Sequence, residues 1–153
     1  MKKTATTGFT IVELLIVLAV LGVMVGFFLV TFPGARASAR DTQRRSDLKQ
    51  FQTGLESFAN RNNGLYPSRN VTTPTSTLCT DIGFTGCPTD PASPQVYNYI
   101  SDGSGAGAAS ATVYVLWATL EKPASPVTYW VVCSNGKSGT VTTTPSSSAC
   151  PLT

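Results

Sequence analysis

The chain has 153 residues, of which 12% are charged, with a formal net charge of +3 and no histidine at all. That length supports one modest domain around one core. The charge is too small to argue for nucleic acid on its own, and the missing histidine removes the commonest general base and the commonest zinc ligand together.

The first element is apolar. Residues 8–30 read GFTIVELLIVLAVLGVMVGFFLV, and Glu13 is the one charged residue among them. A helix over residues 9–32 would measure about 36 Å, enough to cross a hydrocarbon core with some tilt. A cleavable secretory signal fits poorly: the apolar stretch is too long, and FPGARASAR after it offers only a weak small-residue cleavage site. A plain membrane anchor leaves Glu13 unexplained. A lone carboxylate in lipid costs roughly 3 kcal/mol on insertion scales, so it is expected to have a partner.

The residues around Glu13 supply a candidate. A short basic and polar leader, KKTATTG, runs directly into FTIVE and then into uncharged sequence. This arrangement closely resembles the type IV pilin and pseudopilin family, with its class III signal sequence. The resemblance implies that residues 1–8 are a leader, cut by a prepilin peptidase between Gly8 and Phe9. The same enzyme would methylate the new amine of Phe9. Gly8 has a physical reason to be small, because a side chain there would crowd a protease site at the membrane face. Glu13 would then pair with the charged amine of Phe9 from a neighbouring subunit. An apolar surrounding strengthens that pairing and penalises misregistered neighbours. Residues 9–35 would form the membrane-spanning and filament-core helix.

Gly22 and Gly26 lie four apart in this helix, a spacing that lets helices approach closely in a membrane. Each also weakens the helix by about 1 kcal/mol relative to alanine. With Pro33 they are the expected sites of a local melt on assembly, as the resemblance implies. Charge counting points the other way on orientation. Arg36, Arg40, Arg44, Arg45 and Lys49 follow the segment, against Lys2 and Lys3 before it. The positive-inside rule therefore favours an outside N-terminus, whereas the resemblance implies a leader inside and a domain outside.

Pro33-Gly34 is expected to break or kink the helix. Residues 36–62 then read as an amphipathic helix, with Leu48, Phe51, Leu55 and Phe58 on one stripe. Asp41 with Arg45, and Arg44 with Asp47, are at helical pairing distance. The stretch RDTQRRSDLKQ reads as partly solvated and partly facing neighbours. Asn62-Asn63-Gly64 is a helix stop.

Residues 63–95 read as a variable loop region, opened by the turn LYPS and rich in Thr, Pro and Gly. Strand signals follow over residues 96–100, 112–121 and 127–134, joined by hairpin-length links. SNGKSG then turns the chain into a Ser/Thr-rich tail, so residues 96–153 form a sheet and a tail. The expected fold class is α+β: a long N-terminal helix packed on a small three- to four-stranded antiparallel sheet, which resembles the pilin plan. Cys79, Cys87, Cys133 and Cys150 all follow the apolar segment, and an even count there reads as two disulfides in an oxidising compartment. Three pairings are open; Cys79–Cys87 with Cys133–Cys150 closes the shortest loops. Free thiols in a cytosolic protein are the alternative.

Little else in the chain carries chemistry. There is no P-loop, no GxGxxG and no GxSxG. Asp81, Asp90 and Asp102 follow no calcium-loop spacing and read as turn residues. Asn70-Val71-Thr72 is a glycosylation sequon, a weak signal by itself, and the serines and threonines from Ser138 to Ser148 could carry O-linked sugar, though plain solubility explains them better. The tyrosines and tryptophans read as sheet and core residues rather than a base-stacking platform. No cofactor, metal or small-molecule substrate is implied.

The expectation is a non-enzymatic pilin, held by one span in the cytoplasmic membrane before assembly and in an extracellular pilus afterwards. Its partners would be identical subunits in a helical filament, the peptidase-methyltransferase, and an inner-membrane assembly platform with its ATPase. The filament would serve adhesion, twitching motility or DNA uptake. Two alternatives remain: a pseudopilin of a type II secretion system, and a membrane-anchored binding module that never polymerises.

Overall fold

The computed structural model describes residues 8–152, so the leader assigned to residues 1–8 lies outside the described residues except for Gly8. Two compact units divide the chain, Met1–Arg36 and Ala37–Thr153. Helix α1, Ile11–Arg61, contributes to both. Pro33 lies inside the bounds of α1. A proline removes one backbone donor and bends a helix, but flanking residues that favour helix can carry the helix past it.

In the first unit α1 begins at a cap that the sequence reading missed. The Glu13 amide donates to Thr10 Oγ1 at 3.2 Å, and the Leu14 amide to the Thr10 carbonyl at 3.2 Å. Thr10 and Glu13 thus stand at the two ends of a Thr-x-x-Glu capping spacing. Among the described residues of this unit large apolar side chains face outward, including Phe9, Ile11, Val12, Leu15 and Val23. Among the described residues no single helix is long and apolar enough to cross a membrane; Ile11–Phe27 and Phe32–Arg61 pass together by length and composition.

The second unit is α+β: the amphipathic part of α1 packs on an antiparallel sheet, as the pilin plan requires. Around it lie β1 (Tyr66–Pro67), β2 (Thr73–Pro74), α2 (Thr75–Ile82), β3 (Asn98–Ser101), β4 (Ala109–Ala111), β5 (Tyr114–Leu120), β6 (Thr128–Cys133) and β7 (Ser138–Val141). The sheet has five strands in the order β2-β3-β5-β6-β7, and β1 pairs separately with β4. Central β5 is buried on both faces, which explains its nearly continuous apolar run. Leu48, Phe51, Leu55 and Ala59 of α1 join Tyr99, Tyr114, Leu116, Ala118 and Val132 in the main core, with Phe58 half-buried at its margin. The opposite face holds Ile100, Val115, Trp117, Val131 and Cys133, with Cys150 and Leu152 of the tail packed against them.

Three expectations need correction. Residues 63–95 are not one loop: they contain β1, β2 and α2. α2 ends where Gly83 turns left-handed at φ 68°, with the Phe84 amide donating to the Cys79 carbonyl at 2.8 Å. The sheet has five strands rather than three or four, because Thr73–Pro74 forms β2 at one edge and Ser138–Val141 forms β7 at the other instead of continuing the tail. The Gly/Ala-rich link contains β4, paired with β1. Such short strands carry too few residues for periodicity to reveal; pairing partners distant in sequence create them.

Candidate functional site

Two groups of residues stand out, one in each unit. In the first unit Gly8 and Phe9 precede α1, and Glu13 lies in its first turn. Phe9 is 81% exposed. Among the described residues the Glu13 carboxylate has no ion pair or hydrogen-bond donor, and only its backbone amide is engaged. A single subunit therefore presents a bare acid on an outward apolar helix. A helix apolar on every side needs lipid or other helices around it. A Cβ built on Gly22 or Gly26 meets nothing within 4 Å. Among the described residues nothing in this unit requires glycine at either position.

The second group lies on the amphipathic part of α1. Arg44 is fully buried. Its Nε and Nη2 donate to the two carboxylate oxygens of Asp90 at 2.7 Å each, a bidentate fork. Its Nη1 donates to Asp41 Oδ1 at 2.7 Å and lies 2.8 Å from Glu121 Oε1. Arg40 holds Glu121 from the other side, with Nε 2.7 Å from Oε1 and a second contact from Nη2 to Oε2. Asp41 in turn accepts the amides of Glu121 and Lys122, each at 2.9 Å. One turn further on, the Tyr97 hydroxyl donates to Asp47 at 2.6 Å.

The charges tune one another. Hydrogen bonds from Arg40, and then from Arg44, pull the Glu121 carboxyl down to about 2 against the opposing effect of burial. Asp90, above all, raises the Arg44 guanidinium further into its charged form. Burial is the main cause that pushes the Tyr97 hydroxyl upward, with the Asp47 carboxylate second. The cluster offers no nucleophile and no free base. It ties α1 to the loop before β3 and to the end of β5. Among the described residues no group of three or more His, Cys, Asp or Glu could hold a metal.

The sequence reading placed these charges wrongly. Arg44 does not pair with Asp47, nor Arg45 with Asp41; the Arg45 guanidinium sits 4.8 Å above the Trp130 ring. The stretch read as partly solvated is buried at Asp41, Arg44 and Asp47. Asp81, Asp90 and Asp102 are more than turn residues. Asp81 pairs with Arg69 at 2.7 Å, Asp90 holds Arg44, and Asp102 accepts the amides of Thr112 and Val113. A signal was available. Asp41 and Arg44 continue the stripe of Leu48, Phe51 and Leu55 backwards at steps of three and four. A charged residue on a core stripe announces a buried partner.

Disulfides join Cys79 to Cys87 and Cys133 to Cys150. The first ties α2 to the loop after it, and the second ties the tail to the end of β6. Neither lies in the group formed by Gly8, Phe9 and Glu13.

No family model matches the chain, and no solved structure matches it. The chain is similar to the type II secretion system core protein G of Vibrio cholerae serotype O1, 26% identical over 102 residues. The match spans 67% of this chain and 62% of that protein. A long helix packed on an antiparallel sheet, an apolar N-terminal part with a single acid, and this similarity together point toward the pilin and pseudopilin group.

Proposed function

We propose that this chain is a pilin-like structural subunit, made as a membrane-held precursor and polymerised into a helical filament. In this reading the precursor is cut between Gly8 and Phe9, the amine of Phe9 is methylated, and Glu13 receives that amine from an adjoining subunit. The partners are further copies of the chain, a peptidase-methyltransferase, and an assembly platform with its ATPase. The carrying observation is the Glu13 carboxylate, unengaged among the described residues, on a stretch of α1 whose large apolar side chains from Phe9 to Phe27 are exposed. A subunit of this kind needs no catalytic group, and the similarity supports a role without catalysis.

The leading form of the proposal is a surface filament of the type IV kind, for adhesion, twitching or DNA uptake. The disulfide between Cys133 and Cys150 favours it, because a staple on the outer tail suits a filament under tension. A secretion pseudopilus is the second reading, favoured by the similarity to a secretion system core protein.

The test is Glu13→Gln in the producing cell. Electron microscopy should find filaments lost or sharply reduced, while fractionation still finds the subunit in the membrane. Mass spectrometry of the wild-type subunit should give a chain beginning at N-methyl-Phe9. Normal filaments from Glu13→Gln would overturn the pairing. Deleting the subunit distinguishes the two readings: loss of surface fibres marks a pilus, and loss of protein secretion with fibres absent in both strains marks a pseudopilus.

A further inference from the structure

The dipeptide Asn-Gly occurs twice, at Asn63-Gly64 and at Asn135-Gly136. It carries a chemistry of its own. The amide nitrogen that follows an asparagine can attack that residue's side-chain carbonyl, and a glycine there has no Cβ to obstruct the approach. Sequence alone treats the two pairs alike, and all four residues are exposed. Their backbones differ. Asn63 is left-handed, at φ 55°, a conformation that turns the following nitrogen to the side opposite the asparagine side chain. The Gly64 amide also donates to the Ala59 carbonyl at 2.8 Å, and the Leu65 amide to the Asn62 carbonyl at 3.0 Å. These bonds close the end of α1, and Tyr66, two residues after Gly64, is buried against Tyr114.

Asn135 stands at the tip of the hairpin between β6 and β7, and β7 is an edge strand. Its backbone is not left-handed, since among the described residues Asn63 is the one non-glycine with positive φ. One turn bond holds the Gly136 nitrogen, to the Cys133 carbonyl at 3.0 Å. Asn135 Oδ1 accepts the Lys137 amide at 3.0 Å, which folds the side-chain carbonyl back along the two residues that follow it.

We propose that Asn135 is a site of spontaneous modification, deamidating through a succinimide, and that Asn63 is protected by its backbone. The Gly136 amide gives its proton to hydroxide, and its nitrogen bonds to Asn135 Cγ. The Cγ–Nδ2 bond breaks, and the leaving nitrogen takes a proton from water and departs as ammonia, which restores the hydroxide. Water then opens the ring at one of its two carbonyls and yields aspartate or isoaspartate. No oxidant or reductant takes part. Aspartate keeps an acceptor for the Lys137 amide. Isoaspartate lengthens the main chain at the turn that sets the register of β6 with β7.

The test incubates the full-length chain in detergent micelles, in mildly alkaline buffer, beside the same chain unfolded in guanidinium. No filament is needed, so its outcome is separate from that of the assembly proposal. Peptide mass spectrometry follows the amide-to-acid mass gain at each asparagine. In the folded chain Asn135 should convert about tenfold faster than Asn63, a spread ordinary between an exposed loop tip and a helix end tied to the core. In guanidinium the two should convert at similar rates. Isoaspartate should be among the products at Asn135, because direct hydrolysis of the side chain gives aspartate alone. The proposal is overturned by an intact Asn135 in the folded chain, by Asn63 converting as fast as Asn135 there, or by aspartate formed without isoaspartate.

Discussion

Replacing Arg44 by methionine would leave Asp41, Asp90 and Glu121 facing one another with their shared cation gone. The side chains of Arg44 and Asp90 are fully buried, so solvent screens that pair little. Breaking one side of a buried pair costs about 3–5 kcal/mol, and urea unfolding of Arg44→Met should register a loss of that order. Exposed pairs such as those first inferred for this helix would contribute about 0.5 kcal/mol. Acid should probe the same cluster. The Glu121 carboxyl is held at about 2 against an ordinary 4.5, chiefly by Arg40. A depressed carboxylate lends stability that is complete above the ordinary value and fades as pH falls toward the folded one. Thermal unfolding should therefore drop between pH 4.5 and 2, and Glu121→Gln should flatten that part of the profile.

The contact between α1 and the turn after α2 depends on Gly54. A Cβ there would come within 2.7 Å of the Phe84 ring, and Phe84 packs on Phe51 with ring centroids 6.0 Å apart. Gly54→Leu would gain about 1 kcal/mol of helix propensity but overpack the contact by about 1–3 kcal/mol. A lowered melting temperature is expected, with intact far-ultraviolet dichroism; a raised one would mean that Phe84 moves aside freely. Sequence periodicity revealed α1, β3, β5 and β6, because each has several apolar residues at a regular step. It missed β1, β2, β4, β7 and α2. The two-residue strands are defined by partners such as Tyr66 with Ala111 and Thr73 with Tyr99. Among Thr, Ser and Pro, α2 shows only Leu78, Cys79 and Ile82 as a buried apolar face.

For the whole molecule the two disulfides act on different spans. In the chain-entropy picture, closing the longer loop to Cys150 is worth about 3 kcal/mol and the shorter loop about 2.5. Replacing Cys133 and Cys150 by serine should lower unfolding free energy slightly more than replacing Cys79 and Cys87. It should also raise amide exchange in the tail, because Cys150 and Leu152 cover the sheet face that carries Val115, Trp117 and Val131. The apolar N-terminal stretch, its lone Glu13 and the core stripe of α1 were legible from sequence alone, since spacing along one helix is local information. The bonds of Arg44 to Asp90, Tyr97 to Asp47 and Arg40 to Glu121 were decided only by tertiary structure. Those contacts join residues about 46 to 81 positions apart, and charge at such separations finds its partner only when the chain folds.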